Sequence, residues 1–389
     1  MKKIAVLLTG SMNDRKGLVN AELSRLEYLK KYANYQIDAY AFQRWEDGIV
    51  RVLRHTRANK KPDTIKVGDI LINLHWRRFT IWDYMFSIRF HLPFFTSSRW
   101  MDKIIHQFAE YDLITAHSRE CGELALKINN KYSIPYFVTW HGSDVHTAPF
   151  ESEVVRKTTK AVMDNAAGNF FVSKMLLETS KNISTQENKI LLYNGVSSLF
   201  QRYDESYRTY LRQSFHVFDK KVVAFAGNLI EVKKPQLLPE IFMAIHSKYD
   251  KPIEFWVIGD GKWHNYISDK CAEYSLPVRM FGNQPVEKMP SLLNCVDVLV
   301  LPSRNEGLPL ITIEAIKCGA NVVGANVGGV GEAIGVENVF DHGETFVEKI
   351  SDRAVYYLNN CNEPVLDSKF SWEIAASQEN EIYQKMLEL

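Results

Sequence analysis

Glu306 and Glu314 stand eight positions apart in the stretch Pro302-Ser303-Arg304-Asn305-Glu306-Gly307-Leu308-Pro309-Leu310-Ile311-Thr312-Ile313-Glu314-Ala315. The stretch reads as a loop running into a helix. Proline has no N–H to leave unpaired and its φ is already helical, so Pro309 suits the first helical position. A helix start there offers free N–H groups and the positive end of a dipole to a phosphate or a polarised sugar. Glu306 then precedes the helix. Glu314, about one and a half turns in at roughly 1.5 Å per residue, can reach a neighbouring diol. Such a pair would bracket a ligand carrying a diphosphate and hydroxyls. Spacing alone allows a plainer arrangement just as well: a loop glutamate in solvent and a surface glutamate on a helix, where Glu is common.

Two further positions bear chemistry. Lys233-Lys234 falls in a loop between a strand and a helix, where a cation can meet a diphosphate, or can simply be a solvated helix start. His141 follows the apolar run Tyr136 to Trp140 and so ends a strand. Gly259-Asp260-Gly261-Lys262 lacks the Walker spacing and the hydroxyl residue after lysine, and reads as a turn. Asp-x-Asp is absent, so a metal-bridged diphosphate is not expected, and cationic side chains with a helix dipole would take the metal's place. The first strand is not followed by Gly-x-Gly-x-x-Gly, which argues against a nicotinamide dehydrogenase.

These residues need a scaffold, and the pattern of the chain supplies one. Strands are expected at Lys3 to Gly10, Ile37 to Phe42, Ile70 to Leu74, Leu113 to Ala116, Tyr136 to Trp140, Asn169 to Val172 and Ile190 to Tyr193. A second series follows at Val222 to Ala226, Ile253 to Ile258, Val278 to Phe281, Val298 to Leu301 and Asn321 to Val323. Helical segments alternate with them, beginning with Gly17 to Lys31. This is the α/β pattern of doubly wound parallel sheets. Two Rossmann-like domains are therefore expected, the first over 1–200 and the second over 201–370, with the break in the polar stretch Gln201 to Glu205. Two such domains in tandem would face a cleft at the C-terminal ends of their strands.

The 389 residues are 46% hydrophobic and 24% charged, ordinary for a globular chain with sizeable cores. No segment resembles a signal peptide or approaches the roughly 18 apolar residues that span a bilayer, so a cytoplasmic location is expected. The five cysteines are scattered without a C-x-x-C pair and read as buried apolar residues. The net charge of +1 conceals an asymmetry: residues 1–200 carry 28 Lys and Arg against 20 Asp and Glu, the remainder 19 against 26. That excess is too modest to indicate nucleic-acid binding.

The Glu306/Glu314 pair resembles the Glu-x7-Glu signature of retaining GT-B glycosyltransferases, the large family four. In the same order the chain holds Ala226-Gly227-Asn228-Leu229 with Lys233-Lys234, Ile258-Gly259-Asp260-Gly261, Phe281-Gly282, Gly328-Gly329-Val330-Gly331-Glu332 and Phe370-Ser371-Trp372-Glu373. The first half adds Thr139-Trp140-His141-Gly142-Ser143-Asp144, Val172-Ser173 and Asn194-Gly195-Val196. The resemblance is strong over 190–385, patchy before that and weak over 40–110.

It implies transfer of a sugar from a nucleotide diphosphate, UDP- or GDP-linked, to a glycan or lipid-linked acceptor, with retention and without a metal or other cofactor. Glu306, His141 and Lys233 would be catalytic. Donor binding would fall to Gly10, Asn228, Lys234, Gly282, Asn283, Gly307, Leu308, Leu310 and Glu314. Glu314 would hold the ribose, and Gly282 and Asn283 would lie near the base. The resemblance also implies a C-terminal helix, 371–389, returning to the first domain. Asn228 stands where the family places an arginine, and Lys234 is the cation available to compensate. Of the glycines the family has in its first loop, only Gly10 and Gly17 remain.

Residues 76–100 interleave Trp76, Phe79, Trp82, Phe86, Phe90, Phe94, Phe95 and Trp100 with Arg77, Arg78, Arg89 and Arg99. Rings at headgroup level and cations on anionic lipid are what a peripheral membrane segment needs. An aromatic core segment is the equal alternative. Two other functions fit the same chain: a nucleotide-sugar epimerase of similar shape, and a non-catalytic nucleotide-sugar or glycan-binding protein.

Overall fold

Short runs of Val, Ile, Phe and Ala, each closed by a polar or glycine-containing turn, form two separate sheets in the computed structural model, which describes residues 1–9, 17–54, 61–89, 97–360 and 362–388. The first sheet holds β1 (Lys3–Leu8), β2 (Gln36–Glu46), β3 (Thr64–Val67), β4 (Ile70–Phe79), β5 (Leu113–His117), β6 (Tyr136–Trp140), β7 (Gly168–Phe171) and β8 (Lys189–Leu191), in the order β3-β4-β2-β1-β5-β6-β7-β8. The second holds β9 (Lys221–Ala226), β10 (Ile253–Ile258), β11 (Val278–Gly282), β12 (Val298–Leu301), β13 (Asn321–Ala325) and β14 (Val339–Phe340), in the order β11-β10-β9-β12-β13-β14.

Both orders wind outward from a central strand in two directions, as in doubly wound folds. The direction reverses between β1 and β5 in the first sheet and between β9 and β12 in the second. Loops leaving the C-terminal ends of these strands therefore diverge, and a crevice opens where ligands of such sheets bind. The second sheet is parallel throughout, and its central strands are buried on both faces, as their continuous apolar runs require. The first sheet corrects one expectation. β3, a four-residue edge with Lys66 in it, pairs antiparallel with β4.

The chain divides into two units, Met1–Tyr193 with Trp372–Leu389, and Asn194–Ser371. The crossing falls ahead of the polar stretch 201–205. Phe200 is already buried in the core of the second unit, and Asp204 caps the helix Glu205–Ser214 by accepting from the Tyr207 N–H at 2.9 Å. The C-terminal helix Trp372–Leu387 packs in the first unit against Gly17–Tyr32. Its Glu379 meets Arg25 at 2.6 Å, both side chains 2% exposed, and Asn380 accepts from the Tyr35 hydroxyl at 2.9 Å.

Residues 76–100 are not one interfacial element. Trp76 to Phe79 complete β4, with Phe79 buried, and helices Ile81–Arg89 and Ser97–Ile104 follow, while 90–96 lie outside the described residues. Trp82 and Met85 are exposed, and the neighbouring helix Gly48–Arg54 exposes Ile49, Val52 and Leu53. Cys121, Cys271, Cys295 and Cys318 are free and buried; Cys361 lies outside the described residues. Among the described residues no helix is long and apolar enough to cross a membrane.

Candidate active site

In the second unit the loops after β9, β10, β12 and β13 meet at the switch point. The loop after β9 leans on the one after β10: Gly227 N–H donates to Ile258 and Leu229 N–H to Asp260, both at 2.9 Å. A Cβ on Gly259 would lie 2.0 Å from the Gly227 carbonyl oxygen, so only glycine permits this approach. The turn then carries Lys233 on a short 3-10 segment, Glu231–Lys233, followed by Lys234 in the left-handed region at φ 44°. A bulky residue is uncommon there, and such backbone is concentrated at ligand sites.

The loop after β12 is tied to this turn twice. Arg304 N–H donates to Val232 at 2.8 Å, and Lys233 Nζ meets Glu306 Oε1 at 2.5 Å. The Glu306 side chain is 8% exposed and that of Lys233 23%, so the pair is largely shielded from water. From the other side, Gly329 N–H donates to the Gly307 carbonyl at 2.5 Å, and a Cβ on Gly328 would lie 2.0 Å from the Glu306 carbonyl oxygen. The helix begins at Leu310, one residue later than the sequence suggests. Pro309 is its cap, with extended ψ of 116°, and its carbonyl accepts from the Thr312 N–H and hydroxyl. Leu308 is buried; Gly307 and Leu310 are half-buried. Glu314 is half-buried on the helix, and burial pushes its carboxyl up to about 8. No lysine or arginine pairs with it among the described residues. Asn228 follows Gly227 and is half-buried. Gly282, at φ 65°, ends β11 with its carbonyl accepting from Gly259 at 2.8 Å, and Asn283 beyond it is exposed.

In the first unit His141 follows β6 directly, and the structure gives it partners that the sequence reading missed. His117 ends β5, the adjacent strand, and its Nδ1 lies 3.0 Å from His141 Nε2 with the rings stacked at 5.2 Å. Glu22, on the helix after β1, lies beside them, and its carboxylate accepts from the Thr9 N–H at 3.0 Å and from the Thr9 hydroxyl. Thr9 follows β1 and His117 ends β5, so this cluster also sits at its sheet's switch point. The available signal was that Leu113 to Ala116 and Tyr136 to Trp140 are successive strands each followed by histidine. Burial, reinforced by the Arg25 charge, pushes His141 down to about 3, and burial with His141 and Arg25 drives His117 well down. Burial raises Glu22 to about 8 despite its Thr9 hydrogen bonds. Asp144 accepts from the Gly142 N–H at 2.9 Å. Gly10 lies outside the described residues.

Lys233, Glu306, Gly307 and Gly328 are thus brought into contact in one unit, while His141 belongs to the other. Residues 207–357 match the glycosyl transferases group 1 family. The match covers most of the second unit and contains the whole Lys233–Glu306–Glu314 arrangement. Over 225 residues the chain is 30% identical to TuaC of Bacillus subtilis, a glycosyltransferase named for teichuronic acid biosynthesis; the alignment spans 58% of this chain and 55% of TuaC. An uncharacterized glycosyltransferase of Methanocaldococcus jannaschii is 26% identical over 71% of this chain and 76% of its own. Among solved structures, Anabaena HepE in complex with UDP and glucose aligns over 100% of both chains at TM-score 0.69 and 17% identity. Sucrose-phosphate synthase of Thermosynechococcus elongatus aligns over 100% and 99% at TM-score 0.75 and 17% identity. The fold is GT-B, two doubly wound α/β units in one chain. The likeness in sequence is thus to glycosyltransferases, with the group 1 match confined to 207–357 and about half the length of TuaC aligned.

Proposed function

We propose that the protein is a retaining glycosyltransferase of the Glu-x7-Glu kind, moving a hexose or N-acetylhexosamine from UDP or GDP to a hydroxyl of a glycan or lipid-linked acceptor. The observation that carries the reading is the shielded Lys233–Glu306 pair at the switch point of the second sheet, beside the start of the helix Leu310–Lys317. Lys233 is placed to take up the charge that develops on a departing diphosphate, and the free N–H groups at the helix start add to it. Glu306 holds the transferred sugar, and Glu314 accepts from the ribose hydroxyls. Gly282 and Asn283 flank the base, while Asn228, Gly307, Leu308 and Leu310 line the diphosphate with Lys234.

No metal enters this scheme, because lysine and helix dipole supply the positive charge. His141 would contact the donor sugar as a neutral imidazole, a hydrogen-bonding group and not a cation, since burial keeps it uncharged at neutral pH. Attack on the same face as the leaving group accounts for retention, with the departing phosphate as base. The name of TuaC supports a role in cell-surface polysaccharide synthesis, and the complexes of HepE with UDP and with UDP-glucose support a uridine donor.

Purified protein offered UDP-, GDP- and ADP-sugars with an acceptor extract should release nucleotide with one donor class. Lys233→Ala should lower kcat about 10²- to 10³-fold, as loss of a charge-stabilising donor does. Release that is undiminished in Glu306→Ala would refute the assignment, and product formed without acceptor would favour the epimerase. A lipid-linked acceptor would be met through the exposed Ile49, Val52, Leu53, Trp82 and Met85 with Arg51, Arg54 and Arg78, a patch fit for an anionic membrane surface. Flotation with anionic vesicles should recover the protein, and Val52→Glu with Trp82→Glu should abolish the recovery; unchanged flotation would exclude this face.

A further inference from the structure

The cluster at the first sheet's switch point has a chemistry that the transfer reaction does not use. Glu22, His117 and His141 each present one ligand atom, and the three atoms lie within 4.8 Å of one another. Two imidazoles and one carboxylate form the ligand set of open zinc sites, in which a fourth position is left to water or substrate. We infer that Glu22, His117 and His141 form a binding site for a divalent transition-metal ion of the zinc type.

The geometry needs little change to close on an ion. Two nitrogens each about 2.0–2.1 Å from a tetrahedral zinc lie roughly 3.3 Å apart. His117 Nδ1 and His141 Nε2 are 3.0 Å apart, so they must separate by a few tenths of an ångström, while the carboxylate closes on them by at most about 1.5 Å. The elements that hold the ligands are rigid: His117 and the residue before His141 belong to paired central strands, and Thr9 fixes the Glu22 carboxylate with two hydrogen bonds, as the outer partners of metal ligands do. No lysine or arginine pairs with Glu22 among the described residues, so the buried carboxyl has no cation of its own. One Asp144 oxygen nearby is buried without a hydrogen-bond partner, and its carboxylate adds negative potential. Arg25 is the opposing charge, and Glu379 neutralises it at 2.6 Å. Glu22 and His117 are fully buried, whereas His141 is partly exposed and leaves a way in.

Occupancy would engage the imidazole that the proposed transfer uses, so the ion would inhibit that reaction. This consequence rests on the functional reading; binding itself does not. Untagged full-length protein, stripped with chelator, is titrated with Co2+ alone, without donor or acceptor. One equivalent should bind with visible d–d absorption, and Zn2+ should displace it. His117→Gln and Glu22→Gln, each checked for folding by circular dichroism, should weaken binding at least tenfold. Absence of saturable binding, or binding unaltered in whichever variants fold, would overturn the site. Should neither variant fold, His141→Gln, at the partly exposed ligand, carries the same expectation and the same refutation.

Discussion

At the scale of single residues, Glu314 has the most measurable peculiarity. Its carboxyl titrates near the usual 4.5 in the unfolded chain and is pushed up to about 8 by burial in the fold. Between those values the native state holds a proton that the unfolded state has released. Stability therefore falls as pH rises from about 4.5 to 8 and levels off above. Glutamine has no such penalty. Relative to the parent, Glu314→Gln should gain nothing near pH 4.5 and on the order of 1–3 kcal/mol by pH 8.5, allowing for partial exposure. Urea unfolding at the two pH values reads this directly, and an equal difference at both would contradict it. Glu22 shifts in the same direction but is present in both proteins, so it cancels. The ion pair of Glu306 with Lys233 needs β9 beside β12, but that both residues stand in loops after strands was legible from the motifs. Glu22 and His117 were not. Their meeting with His141 depends on strand order, and the helical period around Glu22 shows only that it faces inward with Leu23 and Leu26.

Elements position these residues through close backbone contacts, among them the clamp of the β13 loop on the β12 loop. Gly328 is at φ 57°, and any Cβ there would collide with the Glu306 carbonyl at 2.0 Å. Gly328→Ala should therefore cost about 2–4 kcal/mol through strain and displacement of the loop. It should also lower nucleotide release well beyond the loss in folded protein. Gly343→Ala serves as the comparison, since nothing lies within 4 Å of its added carbon and the change should stay within about 0.5 kcal/mol. Equal thermal melts for the two variants would show that the clamp is not needed. Most strands were readable because doubly wound sheets bury continuous apolar runs: Tyr136–Trp140, Ile253–Ile258 and Val298–Leu301 have the expected ends. β3 was missed because Thr64-Ile65-Lys66-Val67 is short and half-polar, and β14 because two residues carry no period. The aromatic stretch 76–100 misled as a unit because composition does not tell a strand end with inward Phe79 from a helix with outward Trp82.

For the molecule as a whole, the chain leaves the first unit at Tyr193 and re-enters it at Trp372, so that unit is built from both ends of the sequence. The join is polar as well as apolar. Arg25 donates through Nε to Glu379, its guanidinium lies 5.2 Å from the Phe170 ring, and the Tyr383 hydroxyl donates to Glu379 at 2.6 Å and lies 2.7 Å from Thr115 Oγ1. Phe170, Tyr383 and Thr115, which surround this charge pair, are all buried. Removing one partner leaves the other charged in an apolar setting, which costs far more than the pair contributes, whereas removing both can be nearly neutral. Glu379→Ala should thus destabilise the first unit by about 3–5 kcal/mol, while Arg25→Met with Glu379→Leu should recover most of that loss. Equilibrium unfolding of the three proteins, followed by protease protection of β1 and β5, separates the outcomes. If the double variant is as unstable as Glu379→Ala, the pair contributes attraction that packing cannot replace. If both match the parent, the returning helix is held by Trp372, Ala376 and Tyr383 packing alone, and truncation after Ser371 becomes the decisive comparison: it should unfold the first unit and leave the core around Phe225 and Phe255 intact.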